Sequence, residues 1–423
     1  VTTAASSPLV PFKREVLPNG ATVLLKENRS VPLTAVDLWV ATGAACENPD
    51  EGGISHFLEH LFFKGTSKRP VGVMDREIKS LGGYNNAATS YDFTHYFVVL
   101  PSQHTDLALD ILIDALRNMD PPEEEIEKER QVVLEEIARR DDSPVGKLYD
   151  DFFEKIFAGT PYGKPILGTE ESLRRIDRDH ISDYRSRLYH PGNLHVAVAG
   201  DIDPDRTLRR VEDLLGGFAS NANPPPVESV PYSNGKTVEF EFAKDIQQTY
   251  LLYGLRAPAI QGSQDEIALD VISTLLGDGR SSRLVHRLVE QSGLCSNVSA
   301  FVWTLDRVSM FGVEACYREE DEDEVRSILE EELDRIRREP LSEEEVEKAK
   351  TILRSGYAYS LERSASMAGV LGRNSACGLL EEAVAYCERV ERMDGKTAQE
   401  ALNRCCPAEA YTLGFVRPQK KVS

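Results

Sequence analysis

No run of apolar residues in this chain approaches the roughly 20 needed to cross a bilayer as a helix, so no membrane span is expected. Positive charge is also scarce, with 49 Lys and Arg against 70 Asp and Glu for a formal net charge of −21. Phosphate binding needs a basic surface, which argues against nucleic acid as a partner. The seven cysteines, at 46, 295, 316, 377, 387, 405 and 406, are odd in number and include no C-x-x-C spacing. They form no disulfide framework, and free thiols in the cytoplasm or another reducing compartment are the expectation. The adjacent Cys405 and Cys406 are assigned no role. No short-period repeat is visible. The start, VTTAASSPLV, lacks both a methionine and a charged-then-apolar signal, which leaves room for a trimmed targeting segment upstream.

What the chain does have is length. Its 423 residues suffice for two to three domains with large hydrophobic cores. At 41% hydrophobic and 28% charged residues, the composition is that of an ordinary soluble protein. Much of the acid lies between Glu319 and Glu347 and reads as solvated helix faces. An acidic surface admits a basic polypeptide substrate, but solubility is the plainer reading.

The order of elements suggests two halves. Leu17-Pro18-Asn19-Gly20 is a turn, followed by strands in ATVLLKEN and TAVDLWVATG. A helix over Val73–Leu81, a long strand or hairpin over Tyr84–Val99 and a helix over Asp106–Met119 come next. Beyond a loop-rich Phe152–Gly168 lie a helix near Glu170–Leu188, a strand at His195–Ala199 and a helix at Arg206–Leu215. NANPPPVESVPY is the clearest linker. The order then restarts with strands near Thr237–Ala243 and Gln248–Leu255 and helices at Asp265–Leu276 and Arg280–Gln291. Strands at Ser296–Thr304 and Val308–Ala315 follow. Helices over Glu322–Arg338, Ser342–Leu361 and Glu381–Val390 precede a last strand near Tyr411–Val416. The expected division is 1–220, a linker at 221–235, and 236–423, two halves of similar length left by an ancient duplication.

Two stretches carry chemistry. In GISHFLEHLFFKGT, His56, Glu59 and His60 form H-x-x-E-H, the inverted zinc-protease pattern, on one helix face that also takes in Phe63. The other residues from Phe57 to Phe63 are apolar, so the helix reads as buried nearly all round. Two imidazoles and a carboxylate in such a place need partners, and a metal supplies them. Until a third ligand is found, a coincidental five-residue match with hydrogen-bonded core histidines is the competing reading. The second stretch, EEEIEKERQVVLEEIARR, places Glu129 and Glu136 on the apolar face with Ile126, Val133 and Ile137. Glutamates at the rim of that stripe can simply reach solvent. They can also face the first helix, where a carboxylate ligand is wanted.

Together these segments resemble the pitrilysin/insulinase family of zinc peptidases, in its short-chain branch with mitochondrial processing peptidase (its beta subunit) and bacterial relatives. The resemblance extends through LPNG, LGGYNNAATSYDFTHYF, ERQVVLEEIARRDDSP, YGKPILGT, YHPGNLHVAVAGD and LLGDGRSSRL. It implies an α+β fold of two homologous domains, each a mostly antiparallel sheet covered by helices, the N-terminal one bearing the metal. The family's third ligand is a glutamate 76 or 77 positions after the second histidine, and Glu136 lies 76 after His60. The resemblance thus implies Zn2+ held by His56, His60 and Glu136, with Glu59 as the proton acceptor and Glu129 supporting a ligand histidine. It further implies that Asn86, Ala87, Ala88 and Thr89 form an edge strand that pairs with extended substrate.

One departure stands out. Family members complete in one polypeptide carry, in the second half, an arginine and a tyrosine seven residues apart that assist at the reacting carbonyl. Here those positions hold Val289 and Ser296, and Arg287 is two places off register. Neither Val289 nor Ser296 can stabilise a developing oxyanion as that pair does. The expectation is a homologous partner subunit that supplies the pair and shares a chamber with this chain. The other readings are a non-catalytic assembly subunit derived from the same fold, and a zinc-binding protein with little turnover.

Overall fold

In the computed structural model, residues 7–219, 230 and 236–420 are described. The linker expected at 221–235 lies outside them except for Val230. The chain divides into two compact units. One comprises residues 1–138, 164–227 and 358–384, the other 139–163, 228–357 and 385–423.

The first unit is built on six strands: β1 (Lys13–Val16), β2 (Thr22–Glu27), β3 (Leu33–Val40), β4 (Tyr84–Thr89), β5 (Thr94–Pro101) and β6 (Leu194–Gly200). Their order is β1-β2-β6-β3-β5-β4, and only the β2–β6 pairing is parallel. The second unit has β7 (Val238–Lys244), β8 (Thr249–Ala257), β9 (Cys295–Thr304), β10 (Ser309–Tyr317) and β11 (Thr412–Pro418), ordered β7-β11-β8-β10-β9. Here too one pairing is parallel, β7 with β11. From β2 and from β7 onward the same rule holds: the first strand lies beside the last, then the second, the fourth and the third. The chain is therefore two α+β domains of one topology, each with a mixed, mostly antiparallel sheet and helices.

Side chains alternate across each sheet with period two. In the first, Val36, Leu38, Val40, Tyr96, Val98 and Leu100 point into a core closed by Phe57, Leu58 and Leu61 of the His-Glu-His helix, Ile54–Leu61. Asp37, Trp39 and His95 occupy the other face. The helix Ser364–Ala376 packs there so closely that a Cβ on Gly372 would lie 2.2 Å from Trp39 Cδ1. In the second sheet the helix Pro144–Ile156 has the matching place, with the Phe152 ring 2.6 Å from where a Cβ on Gly254 would be.

Several local features differ from the expected pattern. The helix expected over Glu170–Leu188 is two, Glu170–Arg175 and Arg178–Leu188, because Asp177 accepts the N–H of His180 and caps a new start. The region expected to be loop-rich from Phe152 begins inside the Pro144–Ile156 helix, which starts with Ser143 as N-cap and proline in its first turn. Within Arg280–Gln291, residues Val285–Gln291 take the wider π-helical winding. β1 and the helices Ser364–Ala376 and Gly395–Cys405 had no counterpart in the sequence reading.

Candidate metal centre

The His-Glu-His helix is held at its N-terminus by two constraints. Gly53 has φ +89°, and a Cβ there would lie 2.6 Å from the Leu167 carbonyl oxygen, so only glycine fits. The first N–H groups of a helix have no partner within it. Here Glu47 accepts them, from Gly53 at 2.8 Å and Ser55 at 2.9 Å. Burial pushes the Glu47 carboxyl up to about 7, against the opposing effect of those hydrogen bonds. Ser55 Oγ meets the buried Tyr184 hydroxyl at 2.7 Å, and just past the helix Phe62 stacks on Tyr96 with ring centres 3.5 Å apart. With its apolar side so anchored, the helix has a fixed rotation, and that rotation sets the direction of His56, Glu59 and His60.

The second contributor is the helix Glu123–Asp142, whose Ile126 and Val133 are buried in the same core. Arg130 ties it down: its guanidinium lies 5.2 Å from the centre of the Phe57 ring and donates to the Leu173 carbonyl at 2.5 Å. Glu129 and Glu136 are then presented two turns apart to the His-Glu-His helix. Glu136 Oε2 is 3.5 Å from His60 Nε2 and 3.8 Å from His56 Nε2. One donor atom from each of His56, His60 and Glu136 lies within 4.8 Å of both others.

This donor set suits zinc. Two imidazoles and one carboxylate leave a fourth position of a tetrahedron open, and ligand bonds of about 2.0–2.2 Å place neighbouring donors roughly 3.3–3.6 Å apart. His56 is buried, and burial, with His60 alongside, lowers its pKa to about 4, so its ring is neutral and keeps a lone pair at neutral pH. Its Nδ1 has no hydrogen-bond partner among the described residues, and Nε2 is the nitrogen facing Glu136.

Around the set lie three further groups. Glu129, buried, holds its Oε2 3.3 Å from His60 Nδ1, and its other oxygen accepts from Lys64 Nζ at 2.6 Å. Glu59 accepts a 2.6 Å hydrogen bond from Thr89 Oγ1, and burial raises its pKa despite that bond. β4 is an edge strand, with Asn86 and Ala88 exposed and Ala87 and Thr89 half-buried on the helix side. All the residues singled out in the first half are thus near one another or on the adjoining edge. Lys64 and the Thr89 hydroxyl were not singled out from sequence. Lys64 is the one Lys or Arg in GISHFLEHLFFKGT, four residues after His60, and that spacing was the available signal.

In the second unit, Val289 packs against the apolar core and Ser296 Oγ bonds Gln248 and the Cys316 carbonyl, each at 3.2 Å. Arg287 is engaged by Glu332 at 2.7 Å and Glu331 at 2.9 Å.

A two-histidine, one-glutamate donor set, with His56 buried and His60 and Glu136 half-buried, and a further carboxylate beside it on a duplicated α+β scaffold, has the make-up of a hydrolytic metalloprotein site. Comparison with known proteins agrees. Residues 22–170 match the insulinase family (peptidase family M16), and residues 175–353 match the peptidase M16 inactive domain. An uncharacterized zinc protease of Rickettsia felis is 33% identical, covering 86% of this chain and 87% of that protein. The uncharacterized zinc protease YmxG of Bacillus subtilis is 29% identical, covering 96% and 98%. The crystal structure of a protease from Helicobacter pylori matches with a TM-score of 0.89 at 26% identity, over 96% of this chain and 100% of that one. The chain belongs to the M16 (insulinase/pitrilysin) family of peptidases. No described helix is long and apolar enough to cross a membrane.

Proposed function

We propose that the chain is a zinc-dependent endopeptidase that cleaves peptides or unfolded segments. The observation that carries this reading is the convergence of His56, His60 and Glu136 beside Glu59. The two imidazoles and Glu136 hold the metal, and when bound zinc supplies a Lewis acid at the reacting carbonyl. Glu59 accepts the proton of the attacking water at the carboxylate oxygen that Thr89 leaves free, then delivers it to the departing amine nitrogen. Glu129 keeps the His60 ring in place through Nδ1 and makes it a better donor. Residues Asn86–Thr89 of β4 align extended substrate through backbone hydrogen bonds at the sheet edge.

Stabilising the oxyanion requires donors that Val289 and Ser296 do not provide, and Arg287 is committed to Glu331 and Glu332. A homologous partner subunit supplies them, in a chamber shared with this chain. Testing starts from stoichiometric zinc and peptide cleavage in the purified protein, alone and with its partner. Glu59→Gln should keep the metal and lose cleavage by about 10²–10⁴-fold. Zinc retained with no cleavage under either condition would instead favour metal binding with little turnover. Full activity of the chain by itself would remove the need for a partner.

A further inference from the structure

Thr89 is the last residue of β4, and its side chain points to the helix side of the sheet. Its hydroxyl donates to Glu59 Oε2 at 2.6 Å, the one hydrogen bond to that carboxylate among the described residues. A half-buried glutamate with a single anchor has one oxygen fixed and the other free, and the rotation of its carboxylate plane follows the anchor. The anchor is itself fixed. Thr89 pairs with Thr94 across the β4–β5 ladder, and Thr94 is fully buried and donates to the Thr42 carbonyl at 3.0 Å.

We propose that Thr89 is the positioning residue for Glu59, so that the strand offered to substrate and the orientation of the base depend on one side chain. This rests on the peptidase reading above and adds a role that backbone pairing does not require. If Thr89 served only as a strand residue, its hydroxyl would be dispensable, since pairing uses the main chain alone. If it orients the base, removing the hydroxyl at constant shape leaves Glu59 free to rotate away from the attacking water, and the loss falls on the chemical step rather than on binding.

The experiment compares wild type with Thr89→Val, Thr89→Ser and Glu59→Gln, each assayed alone and with the partner subunit, using a fluorescent peptide substrate and an uncleavable analogue with a reduced scissile bond. Thr89→Val should lower kcat about tenfold or more, with KM and the analogue's Kd within twofold of wild type and zinc content and thermal unfolding unchanged. Thr89→Ser, which restores the hydroxyl, should recover most of the loss. A Thr89→Val enzyme that retains kcat, or whose defect lies wholly in KM and the analogue's Kd, overturns the proposal. So does a Thr89→Ser enzyme as impaired as Thr89→Val. A Glu59→Gln enzyme that still cleaves would instead refute the role of the base, an outcome separate from the others.

Discussion

At the scale of single residues, the site works through what each side chain leaves available to the next. Glu129 meets His60 at Nδ1 with one oxygen and pairs with Lys64 through the other. Glu129→Gln should therefore weaken zinc affinity by about 10–100-fold, read by competition with a chelator, while the fold survives. If Glu136 is the third ligand, as proposed, Glu136→Gln should abolish stoichiometric zinc as measured by elemental analysis. Glu47 makes a different prediction. Its carboxyl is raised from 4.5 to about 7 in the folded protein, so between those values the native state holds the proton and the unfolded chain does not. The contribution of Glu47 to stability is thus full below about 4.5, declines as pH rises, and is lost above about 7. Thermal unfolding followed from pH 4.5 to 8 should show that decline in wild type, and Glu47→Gln should flatten it at the expense of about 1 kcal/mol for the weakened cap. The histidines, Glu129 and Glu136 stood out in the sequence as polar groups inside apolar stripes, and the roles proposed for them came from the family resemblance. The Thr89 hydroxyl was not, since threonine is an ordinary strand residue and only the fold shows what lies opposite.

At the scale of elements, long amphipathic helices and alternating strands were readable from periodicity, and each exception has a local cause. The helix Ser364–Ala376 has small residues where it meets the sheet, with Gly372 against Trp39 and Ser375 against His195, so it lacks the stripe of large apolar residues that marks a helix. Asp177 was one polar residue within an otherwise continuous pattern, yet it starts a new helix. The start of the His-Glu-His helix depends on Gly53. Gly53→Ala should destabilise the protein by about 3 kcal/mol or more through left-handed backbone strain and overlap with Leu167, seen as a lower midpoint in thermal unfolding.

At the scale of the whole molecule, duplication was legible in the restart of element order, but the two halves have been fitted differently to solvent. In the first unit the helix Pro204–Leu215 lies over β2, and Val23 and Leu25 beneath it are buried. In the second unit the corresponding positions of β7 hold exposed Glu239 and Glu241. Composition alone could not show this, because the same total of acid describes either arrangement. The sheets' remaining edges differ likewise. The helix Gln264–Gly277 is packed onto β9, where a Cβ on Gly277 would lie 2.0 Å from the Ala300 nitrogen.

That leaves β4, with the uncharged run Asn-Asn-Ala-Ala at a sheet edge. β1 and β7 carry charge along their length, Lys13, Arg14 and Glu15 in one and Glu239, Glu241 and Lys244 in the other, and charge is how proteins keep stray strands away. An uncharged edge strand is open to any backbone, including that of another copy or of a misfolded neighbour. On the peptidase reading proposed above, such an edge would also take up unfolded chains that are never cleaved. Ala88→Lys, on an exposed β4 position, should reduce self-association in sedimentation velocity at high concentration and weaken peptide binding in parallel. Selectivity for what is cleaved and vulnerability to what merely sticks would then be two readings of the same bare edge.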